Sequence, residues 1–154
     1  MAYAGRVKRA VLALVLDALA ILVFVVIGLS EHGLVLDLDQ IVRVAWTFAI
    51  GMLLGHLAIR AWRAPFALWP QGVFVWAITI VTAMALRTLF RAGTELSFIL
   101  VTCVVLGVLM LGWRAVASWI DRRRSREVLT EADLSERAVR TDTQPERTTP
   151  APRP

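Results

Sequence analysis

The 154-residue sequence has one cysteine, two histidines and, beside its sixteen arginines, a single lysine, Lys8. One cysteine excludes an intramolecular disulfide framework. Charged residues make up only 19% of the chain against about 25% in typical soluble domains, while apolar residues reach 58% and mean hydropathy is +0.66. That balance excludes a soluble globular core and an intrinsically disordered chain. Catalytic signatures are missing too: there is no phosphate-binding glycine loop, nucleophile elbow or His-Glu-x-x-His sequence. No catalytic residue, cofactor site or metal site is assigned, and the chain reads as a non-enzyme.

What is there is apolar sequence in long runs. Crossing a hydrocarbon core takes about 20 helical residues at about 1.5 Å each. Four runs have that length: residues 10–29, 41–59, 69–90 and 96–120. The breaks carry turn and charge signals, namely Ser30-Glu31-His32-Gly33 with Asp37 and Asp39, Arg60 to Pro70, and Arg91-Ala92-Gly93-Thr94-Glu95. The first run is longer than a signal-peptide core of about 7–15 residues and no small-x-small site follows Leu29, so it reads as an uncleaved span. The expected fold is an all-α membrane protein: a four-helix transmembrane bundle over residues 1–120, then a polar cytoplasmic tail over 121–154 that is disordered after about Gln144. Within the tail, Thr130 and Asp133 suggest the cap of a short helix through about Arg140.

Basic residues orient the bundle. Arg6, Lys8 and Arg9 precede the first span, Arg60 and Arg63 follow the second, and Arg122, Arg123, Arg124 and Arg126 follow the fourth. Both termini are therefore expected in the cytoplasm, in a multi-pass protein of the inner membrane. Trp46, Trp62, Trp69 and Trp119 lie near the expected interfaces. The net charge of +5 divides as +4 in the first 120 residues and +1 in the tail. The expected partners are the bilayer itself, anionic lipid headgroups at Arg122 to Arg126, and a second copy or another membrane protein. Nucleic acid is not needed to explain the basic charge.

Ionisable residues inside a span cost about 2.5–3.5 kcal/mol when unpaired, so each asks for a partner or a role. Asp17 lies eight residues beyond Arg9, and Arg114 eight residues before Arg122. Both therefore sit about 12 Å inward from the same face, and an ion pair between the first and last helices is expected. Ala10, Ala13, Ala20, Phe24 and Gly28 share the stripe of Asp17, while Cys103, Gly107 and Ser118 share that of Arg114. A structural pair and a proton or substrate site are both compatible with this layout. At the other face, Glu31, His32, Arg43 and Arg87 form a candidate outer polar cluster, either a cap of opposite charges or a shallow external site. Thr47, Gly51 and Gly55 make a small-residue groove for helix packing, within the bundle or between copies, and Gly107 a further small-residue contact. The third span aligns Gly72, Trp76, Thr79, Ala83 and Arg87. His32 and His56 lie at opposite faces, so they cannot share a metal.

Several strings in order then resemble a known family. Asp17 with Val23-Phe24-Val25-Val26-Ile27-Gly28 and His32, Arg60-Ala61-Trp62 before Pro65, Trp69-Pro70-x-Gly72-Val73-x-x-Trp76, Met84-x-Leu86-Arg87, and Leu111-Gly112-Trp113-Arg114 resemble an uncharacterised prokaryotic membrane family, domain of unknown function 3054. The resemblance spans about Arg9 to Ala117. It departs from the family pattern at Thr47-Phe48, where Pro-Phe is common, and at Ala83, where glycine is. It implies a four-span inner-membrane protein and no activity, cofactor or partner. Sixteen arginines to one lysine also fit a high-GC bacterial source. Three functional classes remain open: a structural or interaction component, a small proton- or ion-coupled transporter using Asp17, and a membrane enzyme with an outer-face site.

Overall fold

The computed structural model describes residues 2–31 and 37–143. Their regular structure is helical throughout: α1 (Ala2–Glu31), α2 (Leu38–Ala58), α3 (Val73–Leu89) and α4 (Leu96–Thr143). All four are long and apolar enough to cross a membrane, α3 when taken with the turn that leads into it (Leu68–Leu89, 22 residues). Chain contacts divide the protein into one unit over Met1–Ser118 and another over Trp119–Pro154. The first unit is an all-α four-helix membrane bundle.

Helix ends follow local chemistry. α2 stops where Arg60 adopts a left-handed conformation (φ 50°), and a short 3-10 turn over Ala61–Arg63 follows. The chain then makes a wide turn over Leu68–Gly72, in which Trp69 is extended (φ −120°, ψ 136°) and Gly72 N–H donates to Ala67 O at 3.1 Å. The third run of apolar residues thus begins as this turn and becomes a regular helix only at Val73. At the far end of α3, Arg91 is left-handed (φ 53°) and Ala92 N–H reaches back to Arg87 O at 2.8 Å, which satisfies a terminal carbonyl.

α2 and α3 approach most closely, and the reason is the absence of side chains. A Cβ added to Gly51 would lie 2.6 Å from Thr79 O, and one added to Gly55 3.1 Å from the Cα and O of Val75. The small-residue groove is therefore filled from within the bundle by α3. Thr47, one turn earlier, is buried and donates to Val44 O at 3.1 Å. Phe24 of α1 meets Phe48 of α2 edge to face at 5.3 Å between centroids, and the core continues through Val25, Met52, Val75, Ile80, Leu106 and Met110. α4 uses larger groups: Trp76 donates Nε1–H to Cys103 O at 3.3 Å, and its indole covers Gly107, where a Cβ would fall 3.2 Å from Nε1. Outward-facing Leu53, Leu57, Val81, Val104 and Val108 remain exposed, as lipid-facing positions must.

The second unit is the helical segment that begins at Trp119. The expected break before a short capped helix is absent: α4 runs unbroken to Thr143, and Thr130 Oγ1 donates to Arg126 O at 2.9 Å as a mid-helix residue. Residues 121–143 contain neither proline nor glycine, so nothing stops the helix. Asp133–Arg137 (3.1 Å) and Glu136–Arg140 (2.9 Å) add four-residue pairs with the acid on the favourable N-terminal side. Arg123 stacks over the Trp119 ring at 3.6 Å, which turns one member of the basic run along the helix surface. The expectation for the chain after Gln144 lies outside the described residues.

Candidate functional site

Helices α1, α2 and α4 meet at Asp17. Its position on α1 falls on a buried stripe with Ala13, Ala20, Ile21 and Phe24. Arg114 on α4 is 1% exposed and Asp17 0%. The guanidinium grips the carboxylate with both ends, Nη1 donating to Oδ1 and Nη2 to Oδ2, each at 2.6 Å. This bidentate form is the strongest geometry available to such a pair. Nη1 also donates to Met110 O at 2.9 Å, one turn back on α4.

Two further donors complete the carboxylate. Trp113, also on α4, donates Nε1–H to Oδ1 at 3.0 Å, and His56 on α2 lies with Nε2 2.9 Å from Oδ2. A carboxylate that already faces a guanidinium only accepts, so His56 carries its proton on Nε2. Asp17 thus accepts four hydrogen bonds, about the capacity of a carboxylate. The Nε of Arg114 has no hydrogen-bond partner, and Gly72 at the start of α3 is what makes room for that side chain. A Cβ on Gly72 would lie 2.7 Å from Arg114 Cδ and 3.3 Å from Nε. The Trp113 ring lies edge to face with Phe66 at 5.8 Å, which links the site to the connection before α3.

Neither His56 nor Trp113 is marked by sequence as a partner of Asp17. His56 stands only four residues from Arg60, nearer the membrane surface than Asp17 by simple helix counting. The available signals were weak ones: an ionisable side chain next to Gly55 of the packing groove, and an indole donor adjacent to a buried arginine.

The outer residues behave differently. Arg87 turns toward the start of α4, donating to Ala92 O (3.0 Å) and Gly93 O (3.2 Å) and covering the Phe98 ring at 4.4 Å. Arg43 pairs within α2 to Asp39 at 2.6 Å, and Glu31 is exposed at the end of α1. The described members of the candidate outer cluster are therefore not brought together: carbonyls, a ring and a same-helix acid satisfy the cations locally. His32 lies outside the described residues. Among the described residues, no three His, Cys, Asp or Glu side chains gather as a metal site.

A four-span helical membrane protein whose described residues bury a carboxylate that accepts four hydrogen bonds is the class these features define. The chain belongs to the prokaryotic membrane family described as "Protein of unknown function (DUF3054)", which matches residues 14–117 and so takes in Asp17, His56, Gly72, Trp113 and Arg114. No curated protein and no solved structure matches the chain.

Proposed function

We propose that this protein is a structural or interaction component of the cytoplasmic membrane, with both termini on the cytoplasmic side, and that the Asp17 cluster fastens its helices in one register. The observation that carries this reading is the saturation of the carboxylate. Four donors from α2 and α4 leave no acceptor site for a transported cation, and the carboxylate is fully buried. A coupling carboxylate needs to exchange its ligand, whereas a register device needs to keep it. The excess of basic residues on the face that holds the amino terminus and the α2–α3 connection supports the orientation. The Gly51 and Gly55 groove is occupied by α3, so association with another protein would use the exposed apolar faces of α2 and α4.

A second reading, proton-coupled transport, draws on one observation. His56 touches Asp17 and also lines an apolar groove of about 340 Å³ between α1 and α2, a route by which a proton could leave the cluster. Proteoliposomes with a pH-sensitive dye inside separate the two. The structural reading expects equal proton leak in wild type, Asp17→Asn and His56→Gln. A flux present in wild type and abolished by both substitutions overturns it in favour of transport.

A further inference from the structure

His56 meets the Asp17 carboxylate with one ring nitrogen and leaves the other over. Nε2 carries the proton and bonds Oδ2 at 2.9 Å, so Nδ1 holds a lone pair and accepts. The residue is only 9% exposed, yet no described residue hydrogen-bonds to Nδ1. Nor is that atom sealed: among the described residues, the buried side-chain atoms without a partner are Thr102 Oγ1 and Arg114 Nε. His56 lines the apolar groove of about 340 Å³ between α1 and α2, and Nδ1 opens on it. A plain acyl chain there would cover the acceptor without satisfying it, which is costly where water is excluded.

The rest of the lining narrows the chemistry of the occupant. Val11, Leu53, Leu57 and Trp62 line the groove and are exposed, so its mouth opens to acyl chains and a ligand arrives from the bilayer. No Asp, Glu, Lys or Arg is among the described lining residues, which excludes a charged headgroup. Nδ1 selects a hydroxyl donor over a carbonyl or an ether. Beyond the end of α2, Trp62 and Pro65 add flat walls that suit a ring. A phenol hydroxyl, with a pKa of about 10, is also a stronger donor to imidazole than an alkyl alcohol. The volume lies at the lower end of the range of about 300–1,000 Å³ for small-molecule sites, enough for one substituted ring whose tail continues into lipid.

We propose that the groove between α1 and α2 is a binding site for a neutral, membrane-dissolved phenol of the hydroquinone type, its hydroxyl donating to His56 Nδ1 and its ring against Trp62. The site adjoins the Asp17 cluster and rests on the reading of Asp17 as a standing acceptor, because that hydrogen bond sets the tautomer of His56. Failure of that reading shows as Asp17-dependent proton flux, whereas failure of the groove site shows in ligand binding alone.

Nuclear magnetic resonance of the full chain in nanodiscs, isotope-labelled at the histidine nitrogens, tests it. His32→Gln leaves His56 as the sole histidine. Titration with para-octylphenol is expected to move the Nδ1 resonance upfield, as acceptance of a hydrogen bond does, with Nε2 nearly unchanged. The shape-matched para-octylanisole, which has no donor, should bind about three- to tenfold more weakly and leave Nδ1 in place. Val11→Phe, which fills the groove from an exposed position, should weaken both probes. Leu54→Phe, exposed on α2 outside the groove lining, should leave both affinities unchanged. His56→Phe should abolish the preference for the phenol; if that variant misfolds, the Nδ1 shift and the Val11→Phe loss decide. Equal binding of the two probes overturns the proposal in favour of an acyl slot. Phenol binding that leaves Nδ1 unmoved, or that survives Val11→Phe, overturns it as well. A wild type that binds no phenol, and that Val11→Phe converts from dimer to monomer, overturns it in favour of a second copy in the groove.

Discussion

Neutralising one member of the Asp17–Arg114 pair should cost far more than neutralising both. Asp17→Asn keeps shape and one acceptor for the Trp113 N–H, yet leaves the guanidinium of Arg114, 1% exposed, without its counter-charge. Breaking a buried pair in this way costs about 3–5 kcal/mol. Arg114→Met strands the carboxylate instead, with only His56 and Trp113 as donors, at a similar cost of about 3–5 kcal/mol. Independent effects would sum to about 6–10 kcal/mol in the double variant. In Asp17→Asn/Arg114→Met, however, no charge remains. The Asn oxygen still accepts from Trp113, and its amide can face the other tautomer of His56, so the residual cost is about 1–3 kcal/mol for imperfect pairing. The coupling is therefore at least about 3 kcal/mol, several times the usual additivity error of about 0.3–0.5 kcal/mol. Equilibrium unfolding of the purified chain by SDS in mixed micelles, followed by tryptophan fluorescence, measures all four corners of the cycle. A double variant whose loss equals the sum of the singles would refute the idea that the two charges act as one unit.

Other outcomes follow from the close approaches and the accessory donors. Gly51→Ala should lower stability in the same assay by about 1–3 kcal/mol, because its Cβ meets a carbonyl of α3 at 2.6 Å that only backbone movement can relieve. Gly28→Ala, with nothing within 4 Å, should fall within about 0.5 kcal/mol of wild type. Trp113→Phe keeps the ring against Phe66 but removes one donor to a charged acceptor, so a loss of about 1.5–3 kcal/mol is expected, and His56→Phe should resemble it. Arg137→Ala/Arg140→Ala removes two exposed pairs worth about 0.2–0.5 kcal/mol each, and circular dichroism should show a small loss of helix without a shift in the SDS midpoint.

Spans and depth were legible because both are one-dimensional. Helix rise converts residue counts into ångströms, so Asp17 and Arg114 can be placed at one level from Arg9 and Arg122 alone. Azimuth is harder. His56 reaches Asp17 because α2 presents it toward α1, and no count along one helix reveals how a second is rotated. Arg87 and Arg43 show the opposite case: polar groups near a helix end find carbonyls or a neighbour on the same helix, so a shared surface in sequence does not assemble a cluster. The tail helix was obscured by a local rule. Thr130 is a good cap residue, but capping requires a chain ready to leave the helix, and the arginine-rich segment before it is itself helical.

The placement of the cluster also follows from how helices associate in lipid. Apolar side chains gain nothing by leaving acyl chains for one another, so close packing and polar contacts must specify the bundle. α2 and α3 use the first device, with Gly51 and Gly55 admitting the backbone of α3. α4 carries large residues where that device would need small ones, and Leu100, Val104 and Val108 on its outer side are free to face lipid at any rotation. Gly107 under Trp76 fixes one point of α4, and Arg114 on Asp17 fixes another two turns away. Two such points set both rotation and height, which one polar contact could not do. Gly72 belongs to the same device. By having no Cβ it lets Arg114 pass the start of α3 on its way to α1, and one methyl group there would test whether register depends on that passage.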